Sequence, residues 1–215
     1  LLKHNKGKGV MIGKMEDIEP RVVTVVGAGV AGTQSISKAL DNNALVKVLD
    51  TSESKLQALE NEFGSKNIEY IMSTNDSIQA SINDSDLVIG SVYVVGKEAP
   101  KVVSNDMLIS MKPGTVMVDV SIDQGGCFES SKPTTHDKPT FVKNDIVHYC
   151  VTNMPGAVPL TATQALNKVT LSYIENLANK GIDKALAEDE HLRNGLNIQQ
   201  GTITHQGVKD SLEKF

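Results

Sequence analysis

The sequence predicts an α/β protein with a doubly wound parallel sheet and a C-terminal helical tail. Short apolar runs alternate with amphipathic segments of helical period, a G-x-G-x-x-G pattern follows the first run, and strand signals stop after Pro159. Strands and helices that alternate in this way build a parallel sheet with right-handed crossovers. We therefore expect a Rossmann-type domain over residues 1–159 and a helical segment over residues 160–215.

Each expected strand is a short, mostly β-branched run. The first, Val22–Val26, ends at a glycine, as a buried strand of a parallel sheet often does. Further strands are expected at residues 45–50, 68–72, 87–89, 116–120 and 147–151, with helices at 30–40, 53–63 and 78–82. After Pro159 the sequence predicts helices alone, without strand partners, at residues 161–180, 184–188 and 208–212.

Composition indicates a folded protein with a small-molecule partner. The chain has 215 residues, of which 40% are hydrophobic and 22% charged, and its net charge is −5. That charge argues against binding nucleic acid or an anionic membrane by bulk electrostatics. No apolar run reaches the roughly 20 residues of a membrane helix. The first residues contain neither an initiator Met nor a secretory signal, so we expect the chain to start within a longer protein.

The cysteines and two of the histidines give little indication of chemistry. Cys127 and Cys150 lack C-x-x-C or metal-ligand spacing, so reduced thiols and no metal site are expected. His148 lies in a strand-like run and is expected to pack in the core with its polar atoms satisfied. His136 lies in a turn beside Asp137, which could cap that turn. Neither histidine is assigned as a general base.

Gly27-Ala28-Gly29-Val30-Ala31-Gly32 follows a strand and opens a helix. In a dinucleotide-binding turn the first glycine permits the tight bend, the second lets the backbone approach a pyrophosphate, and the third lets helix and strand pack closely. The helix N-terminus offers its free N–H groups to the phosphates. Taken alone, the pattern is equally consistent with a glycine turn that serves packing only.

Asp50 ends the second strand about 20 residues beyond the glycines, where an acid can accept hydrogen bonds from ribose hydroxyls. The carboxylate would repel a 2′-phosphate, and no Arg follows in residues 51–54, so NAD is favoured over NADP. Lys55 is the nearest cation. The residues alone leave open whether Lys55 reaches the adenosine end of the cofactor or only solvates its helix.

Several longer segments match one family. They are Lys97-Glu98-Ala99-Pro100-Lys101, residues 118–126, residues 134–137, residues 153–159 and residues 177–181. With these segments the chain resembles the alanine dehydrogenase family over almost its whole length. Proton-translocating transhydrogenases are similar too, but their acidic pattern before Gln-Gly-Gly differs from Ile122-Asp123-Gln124.

The resemblance implies reversible oxidation of L-alanine by NAD to pyruvate and ammonia through an imine. It also implies a cytoplasmic homo-oligomer, a hexamer, whose substrate-binding His, Lys and Arg lie in an N-terminal segment that this chain does not contain. Beyond the glycines, the cofactor contacts that it implies are Val30, Ala31, Asp50, Lys55, Ser73, Val92, Tyr93, Val120, Ser121, Ile122, Asp123, Lys132, Val151, Thr152, Asn153 and Met154.

Four of these positions either depart from the family pattern or have a more specific expected role. Tyr93 replaces an aliphatic residue and Lys132 an Arg of the family pattern, and Lys does not reproduce the bidentate geometry of Arg. Met154, in a Pro-Gly loop, is expected to form a wall of the nicotinamide pocket. The resemblance implies that Asp123 is a catalytic carboxylate near the nicotinamide. From its local sequence, Asp123 could equally be an N-cap or turn aspartate.

Two classes of function remain open at this point. The first is an NAD-dependent alanine dehydrogenase to which this chain contributes the NAD-binding domain. The second is a truncated, catalytically silent dinucleotide-binding module, or an NAD-binding subunit like that of a transhydrogenase. An upstream segment carrying the missing Lys and His would favour the enzyme.

Overall fold

The computed structural model describes residues 1–212 and contains a seven-stranded sheet in the order β3-β2-β1-β4-β5-β7-β6. The strands are β1 Val22–Val26, β2 Leu45–Asp50, β3 Ile68–Met72, β4 Leu87–Gly90, β5 Val116–Asp119, β6 Thr140–Lys143 and β7 Ile146–Tyr149. Helices α1 Val30–Asp41, α2 Glu53–Phe63 and α3 Asn75–Asn83 connect the first four strands, and short 3-10 helices lie at Lys3–Asn5, Asp106–Ser110, Ile122–Gln124 and Met154–Ala157. The predicted doubly wound sheet is confirmed.

One edge of the sheet differs from the prediction. β6 was not predicted, and it pairs antiparallel with β7, whereas the other strand pairs of this sheet are parallel. The β6–β7 hairpin turns at Asn144 and Asp145, whose φ angles are 50° and 59°. Two successive residues of positive φ form the tight turn that matches strand twist, and among residues other than glycine Asn and Asp adopt it most readily. The Asn-Asp pair was therefore an available signal for this hairpin.

The two faces of the sheet are covered by separate layers. On β1, Val23 and Val25 pack in a cluster with Ile36 of α1 and with Leu56 and Leu59 of α2. Val26 belongs to the opposite cluster, which contains Ile82, Val88, Met117 and Phe128. Because alternate residues of a strand point to opposite faces, the near-continuous apolar run of β1 reflects burial on both sides.

The helix ends follow local side-chain chemistry. Ser52 caps α2 by accepting a hydrogen bond from the Lys55 amide, and Gly64 ends that helix with a φ of 70°. At α3, Thr74 and Ser77 form a reciprocal capping box. These caps satisfy amides that a helix N-terminus leaves without intrahelical partners. The N-cap of α1 is Gly29, which has no side chain to cap the helix.

His148 and the cysteines lie in the core. His148 is fully buried, its Nε2 lies 2.7 Å from Ser130 Oγ and its Nδ1 lies 3.1 Å from the carbonyl oxygen of Ile146. Burial lowers the pKa of the His148 imidazole. Cys127 and Cys150 are both buried free thiols, and burial raises the pKa of each. The prediction of a packing histidine is confirmed, and the reduced state of the thiols stays a prediction.

The chain divides into two compact units. The first contains residues 1–94 and 99–152, and the second contains Val95–Glu98 and the described residues from Asn153 onward. The second unit holds α4 Pro159–Lys180, α5 Ile182–Glu188, α6 Glu190–Asn194 and α7 Gln206–Leu212. No helix within residues 1–212 is long and apolar enough to cross a membrane.

The second unit also contains a small hairpin, β8 Ile198–Gln199 with β9 Thr202–Ile203. The prediction that the tail is helical throughout is therefore wrong for these residues. Gln200 and Gly201, with φ of 48° and 78°, form the turn. A pair of two-residue strands is too short to show the alternating pattern by which strands are recognised. The separate roles predicted for residues 1–159 and 160–215 stay predictions, and residues 213–215 lie outside the described part.

Two isoleucines test the importance of this core. Ile36 is 0% exposed and Ile109 is 75% exposed, so the same truncation removes packing at one position and almost none at the other. Ile36→Ala should lower the free energy of unfolding by about 2–5 kcal/mol, and Ile109→Ala by less than about 0.5 kcal/mol. Urea unfolding of the two variants measures both values. Equal losses would show that Ile36 does not lie in the core as described.

Candidate functional site

A cavity of about 810 Å³ lies at the carboxyl ends of the central strands in the first unit. The order β3-β2-β1-β4 places β2 and β4 on opposite sides of β1, so the direction of chain winding reverses between β1 and β4. Open α/β sheets bind ligands at such a reversal, beyond the carboxyl ends of the strands. The volume is in the range of small-molecule and cofactor sites.

The three motif glycines have different surroundings. Gly27 has a φ of 98°, and a Cβ there would lie 2.9 Å from the Ser91 backbone. A Cβ on Gly32 would lie 2.0 Å from the carbonyl oxygen of Gly27. Packing and backbone conformation therefore explain both of these glycines.

Gly29 is different because neither packing nor backbone conformation requires a glycine there. A Cβ would meet nothing within 4 Å, the φ is an ordinary −78°, and the residue lines the cavity. Glycine leaves the backbone at this position uncovered by a side chain, in a residue that lines the cavity. This observation argues against a turn that serves packing only.

The N-terminus of α1 opens beside Gly29. No side chain of the described residues caps it, and Val30, which is 87% exposed, lines the cavity together with Ala31. The first amides of a helix have no intrahelical acceptors, and the helix dipole makes this end positive. The site can therefore accept an anionic group through backbone N–H donors.

Asp50 joins the glycine turn to the end of β2. Its side chain is nearly buried, Oδ2 accepts a hydrogen bond of 2.8 Å from the Ala28 amide, and Oδ1 accepts one of 2.9 Å from the Ser52 amide. Lys55 Nζ lies 3.8 Å from Asp50 Oδ2, and Lys55 lines the cavity. Of the two alternatives for Lys55, its position favours the cavity over simple solvation of the helix.

The opposite wall comes from the segments after β4 and β5. Ser121 Oγ donates a hydrogen bond of 2.7 Å to the Val92 carbonyl oxygen, which ties these two segments together. Asp123 is exposed in the 3-10 turn Ile122–Gln124 and lines the cavity. It occupies the middle of the turn, whose N-cap is Ser121. The structure therefore does not favour the N-cap alternative for Asp123.

Most of the predicted site residues come together in this cavity. Those that line it are Gly27, Gly29, Val30, Ala31, Asp50, Lys55, Ser73, Val92, Tyr93, Val120, Ser121 and Asp123.

Five predicted residues are not part of the lining. Gly32 packs on the glycine turn, and Ile122 and Val151 are buried. Lys132 Nζ lies 4.4 Å from the centroid of the Phe141 ring, and the Thr152 amide donates a hydrogen bond to the Thr134 carbonyl oxygen. The Lys132 side chain and the Thr152 backbone thus have partners within the protein. The cofactor contacts expected of these five residues stay predictions.

Two further predicted residues belong to the second unit. Asn153 has a left-handed backbone with a φ of 51°, and Met154 begins a 3-10 helix. Their contacts with the cofactor stay predictions.

Sequence reasoning missed part of the lining. The cavity also includes Val26, Leu49, Thr51, Ser91, Val94, Pro100, Val102 and Gln124. Pro100 and Gln124 belong to segments that were singled out for their resemblance to a family, so a signal existed for these two. The others are apolar or small residues within strands or in the segments between them, which a single sequence does not distinguish from core.

The chain is similar to known proteins over almost its whole length. Residues 1–206 match the family described as alanine dehydrogenase/PNT, C-terminal domain. The chain is 46% identical over 211 residues to an alanine dehydrogenase of Halomonas elongata, covering 98% of this chain and 57% of that protein. It is 44% identical over 214 residues to alanine dehydrogenase 2 of Staphylococcus aureus, covering 99% of this chain and 57% of that protein. The chain thus spans little more than half the length of these relatives.

Solved structures give the same result. An L-alanine dehydrogenase superposes with a TM-score of 0.88 at 41% identity, covering 100% of this chain and 59% of that one. A transhydrogenase from Sinorhizobium meliloti superposes with a TM-score of 0.71 at 22% identity, covering 91% and 54%, and shows a shared fold alone. The chain belongs to the alanine dehydrogenase/PNT C-terminal domain family.

Proposed function

We propose that this chain supplies the NAD-binding domain of an NAD-dependent alanine dehydrogenase, which reversibly converts L-alanine to pyruvate and ammonia. The observation that carries the proposal is the open backbone at Gly29, beside an uncapped helix N-terminus and above a cavity of about 810 Å³. The chain is 44–46% identical to alanine dehydrogenases and 22% identical to a transhydrogenase. This difference favours alanine dehydrogenase as the activity of the complete protein.

The surroundings of the cavity fit a dinucleotide. The amides at the start of α1 would hold the pyrophosphate, and the backbone at Gly29 leaves room for its close approach. Asp50 would accept hydrogen bonds from the adenosine ribose. When bound, NAD would supply the hydride acceptor for oxidation of alanine at its α-carbon. The protein then has to orient the reactants, exclude water where it is unwanted and move protons.

Cofactor choice should depend on Asp50, because a nearly buried carboxylate disfavours the 2′-phosphate of NADPH. NADH should bind at least tenfold tighter than NADPH, a difference of about 1.4 kcal/mol. Asp50→Ala should narrow the difference by removing this repulsion. The substitution should also lower the affinity for NADH, because the Ala28 amide loses its hydrogen-bond acceptor. Fluorescence titration measures the four affinities.

Asp41→Ala is the control for this titration, since Asp41 is an exposed acid at the other end of α1 and pairs with Lys38. It should leave both affinities unchanged. Equal affinity of the parent chain for NADH and NADPH would refute the role given to Asp50.

Asp123 is the proposed catalytic carboxylate. Its place just beyond β5, exposed and at the cavity, suits a group that exchanges protons with the substrate amine or with the water that adds to the imine. The remaining substrate contacts would come from residues outside this chain, because the relatives extend well beyond the part that it matches.

Asp123→Asn should lower turnover and leave the affinity for the cofactor almost unchanged. The amide retains size but loses basicity, so in the complete enzyme kcat should fall by about a hundredfold or more, with the NADH affinity changed less than threefold. Asp106→Asn, an exposed acid in another 3-10 helix, is the matched control and should retain full turnover. Unchanged kcat in Asp123→Asn would make Asp123 a turn residue, and loss of NADH binding would make it a cofactor-loop residue.

The two function classes differ in what this chain does alone and what it does when completed. The 215-residue chain should bind NADH and show no alanine-dependent reduction of NAD above background, because the substrate-binding residues implied by the family lie outside it. Addition of the upstream segment of the same protein should then restore activity, measured as NADH absorbance. Turnover by the chain alone would show that it contains the substrate-binding residues itself. Failure of the completed protein to turn over alanine would favour the silent module.

We further propose that the complete protein is a cytoplasmic homo-oligomer, a hexamer by family resemblance. Helix α4 supports this proposal, because none of its residues is buried although it carries large apolar side chains that another subunit could cover. Among them Leu160 is 72% exposed and Val169 is 61% exposed. Large exposed apolar side chains concentrated on one helix are usually covered by another domain or subunit.

A further inference from the structure

Asp119 is a buried carboxylate to which the proposed reaction assigns no role. It is the last residue of β5 and is 0% exposed. Its Oδ1 accepts a hydrogen bond of 3.0 Å from the Ser121 amide. Its Oδ2 accepts hydrogen bonds from the Cys127 amide at 2.9 Å, the Phe128 amide at 3.3 Å and the Ser131 hydroxyl at 2.5 Å. The Cys127 thiol donates a further hydrogen bond of 3.5 Å to Oδ1. One carboxylate thus collects five donors from the chain that follows it.

These bonds tie together the two ends of residues 121–128, which we term the Asp123 segment. Ser121 begins the segment, Cys127 and Phe128 end it, and Asp123 lies between them at the cavity. The segment therefore leaves β5, passes the cavity and returns to the same carboxylate. Any displacement of that carboxylate moves both anchors of the turn that carries Asp123.

The backbone of the segment is shaped to fit around Asp119. Gly126 has a φ of 76°, and a Cβ there would lie 2.7 Å from Asp119 Oδ2. A side chain at this position would meet both a strained backbone conformation and the carboxylate. Close contact between Gly126 and Asp119 is therefore part of how the segment closes.

A cation holds the segment through its carbonyl groups. Lys101 Nζ donates hydrogen bonds to the carbonyl oxygens of Gly125 and Gly126, the latter at 2.7 Å. The Ala99 amide donates one of 2.9 Å to the Gln124 carbonyl oxygen. Amides of the segment are thus bound by an anion and its carbonyls by a cation, and hydrogen bonds to charged groups are stronger than those between neutral groups.

The donor set requires a carboxylate rather than an amide. The groups around the Asp119 oxygens are three backbone N–H groups, one hydroxyl and one thiol, all of which donate. An asparagine would direct its NH2 group toward one or more of these donors and could accept only through its single oxygen. The substitution Asp119→Asn therefore breaks the anchoring while changing the size of the side chain very little.

We propose that Asp119 is a positioning residue, which acts through the Asp123 segment to hold the Asp123 carboxylate at the cavity. The proposal rests on the proposed function, in which Asp123 exchanges protons with the substrate. Asp119 itself is buried and is not among the residues that line the cavity, so its effect on turnover passes through Asp123.

A double-mutant cycle in the complete protein tests this route. With Asp123 present, Asp119→Asn should lower kcat at least tenfold and change the affinity for NADH less than threefold. In the Asp123→Asn background the same substitution should lower kcat less than threefold, because residues that act through one another are not additive. Equal losses in both backgrounds, or an unchanged kcat in Asp119→Asn, would overturn the proposal.

Hydrogen exchange gives a second measurement that needs no activity. A peptide covering residues 119–131 should exchange at least tenfold faster in Asp119→Asn than in the parent protein. Asp86→Asn is the matched control, because Asp86 is also a buried carboxylate, which accepts from the Val22 amide at 3.2 Å and pairs with Lys8 at 2.8 Å. It should leave the exchange of this peptide and kcat within twofold of the parent. Unchanged exchange in Asp119→Asn would overturn the proposal.

The two proposals fail on different results. Absence of alanine-dependent NAD reduction in the complete parent protein overturns the proposed function, whereas the exchange measurement still decides whether Asp119 holds the Asp123 segment. If Asp119→Asn does not fold, Ser131→Ala removes one of the donors to Asp119, the hydroxyl at 2.5 Å, together with the acceptor of a 3.7 Å hydrogen bond from the Cys150 thiol. In that variant the peptide should exchange at least threefold faster, and kcat should fall at least threefold. An unchanged exchange rate or an unchanged kcat would overturn the proposal.

Discussion

The close approach of Gly32 to the carbonyl of Gly27 is the constraint on which the rest of the first unit depends. A methyl group at residue 32 would lie 2.0 Å from that oxygen, so only glycine lets α1 start directly above β1. This start places the helix N-terminus at the point where the sheet reverses its winding. The cavity, its backbone donors and the open space at Gly29 all follow from where α1 begins.

Two strands that border the cavity each end in an aspartate that binds the following loop. β2 ends in Asp50 and β5 ends in Asp119, and each carboxylate accepts the amide two residues further on. Each also reaches a second segment, the glycine turn for Asp50 and the return of the Asp123 segment for Asp119. An acid at a strand end can thus organise the loops that contact a ligand, whether or not the acid contacts the ligand itself.

The second unit has a different balance of surface and core. Its long helix α4 has no buried residue, and Ala185 of α5 is the buried hydrophobic residue that its described helices contribute. Burial of apolar area is the main favourable term in folding, so a unit with so little core gains stability when its apolar face is covered. This fits a chain that spans little more than half the length of its relatives.

The sequence by itself determined the doubly wound sheet, the glycine turn and the acid that ends β2, because each follows from residues that are neighbours in the chain. Period, turn chemistry and strand-end positions are local signals. Only the tertiary structure decided that Gly29 faces open space and that Asp119 gathers amides from as far along the chain as Phe128. It also added β6 to the sheet and left the side chain of Lys132 on Phe141. These are contacts through space, and their partners are set by how the elements pack, which no single stretch of the sequence specifies.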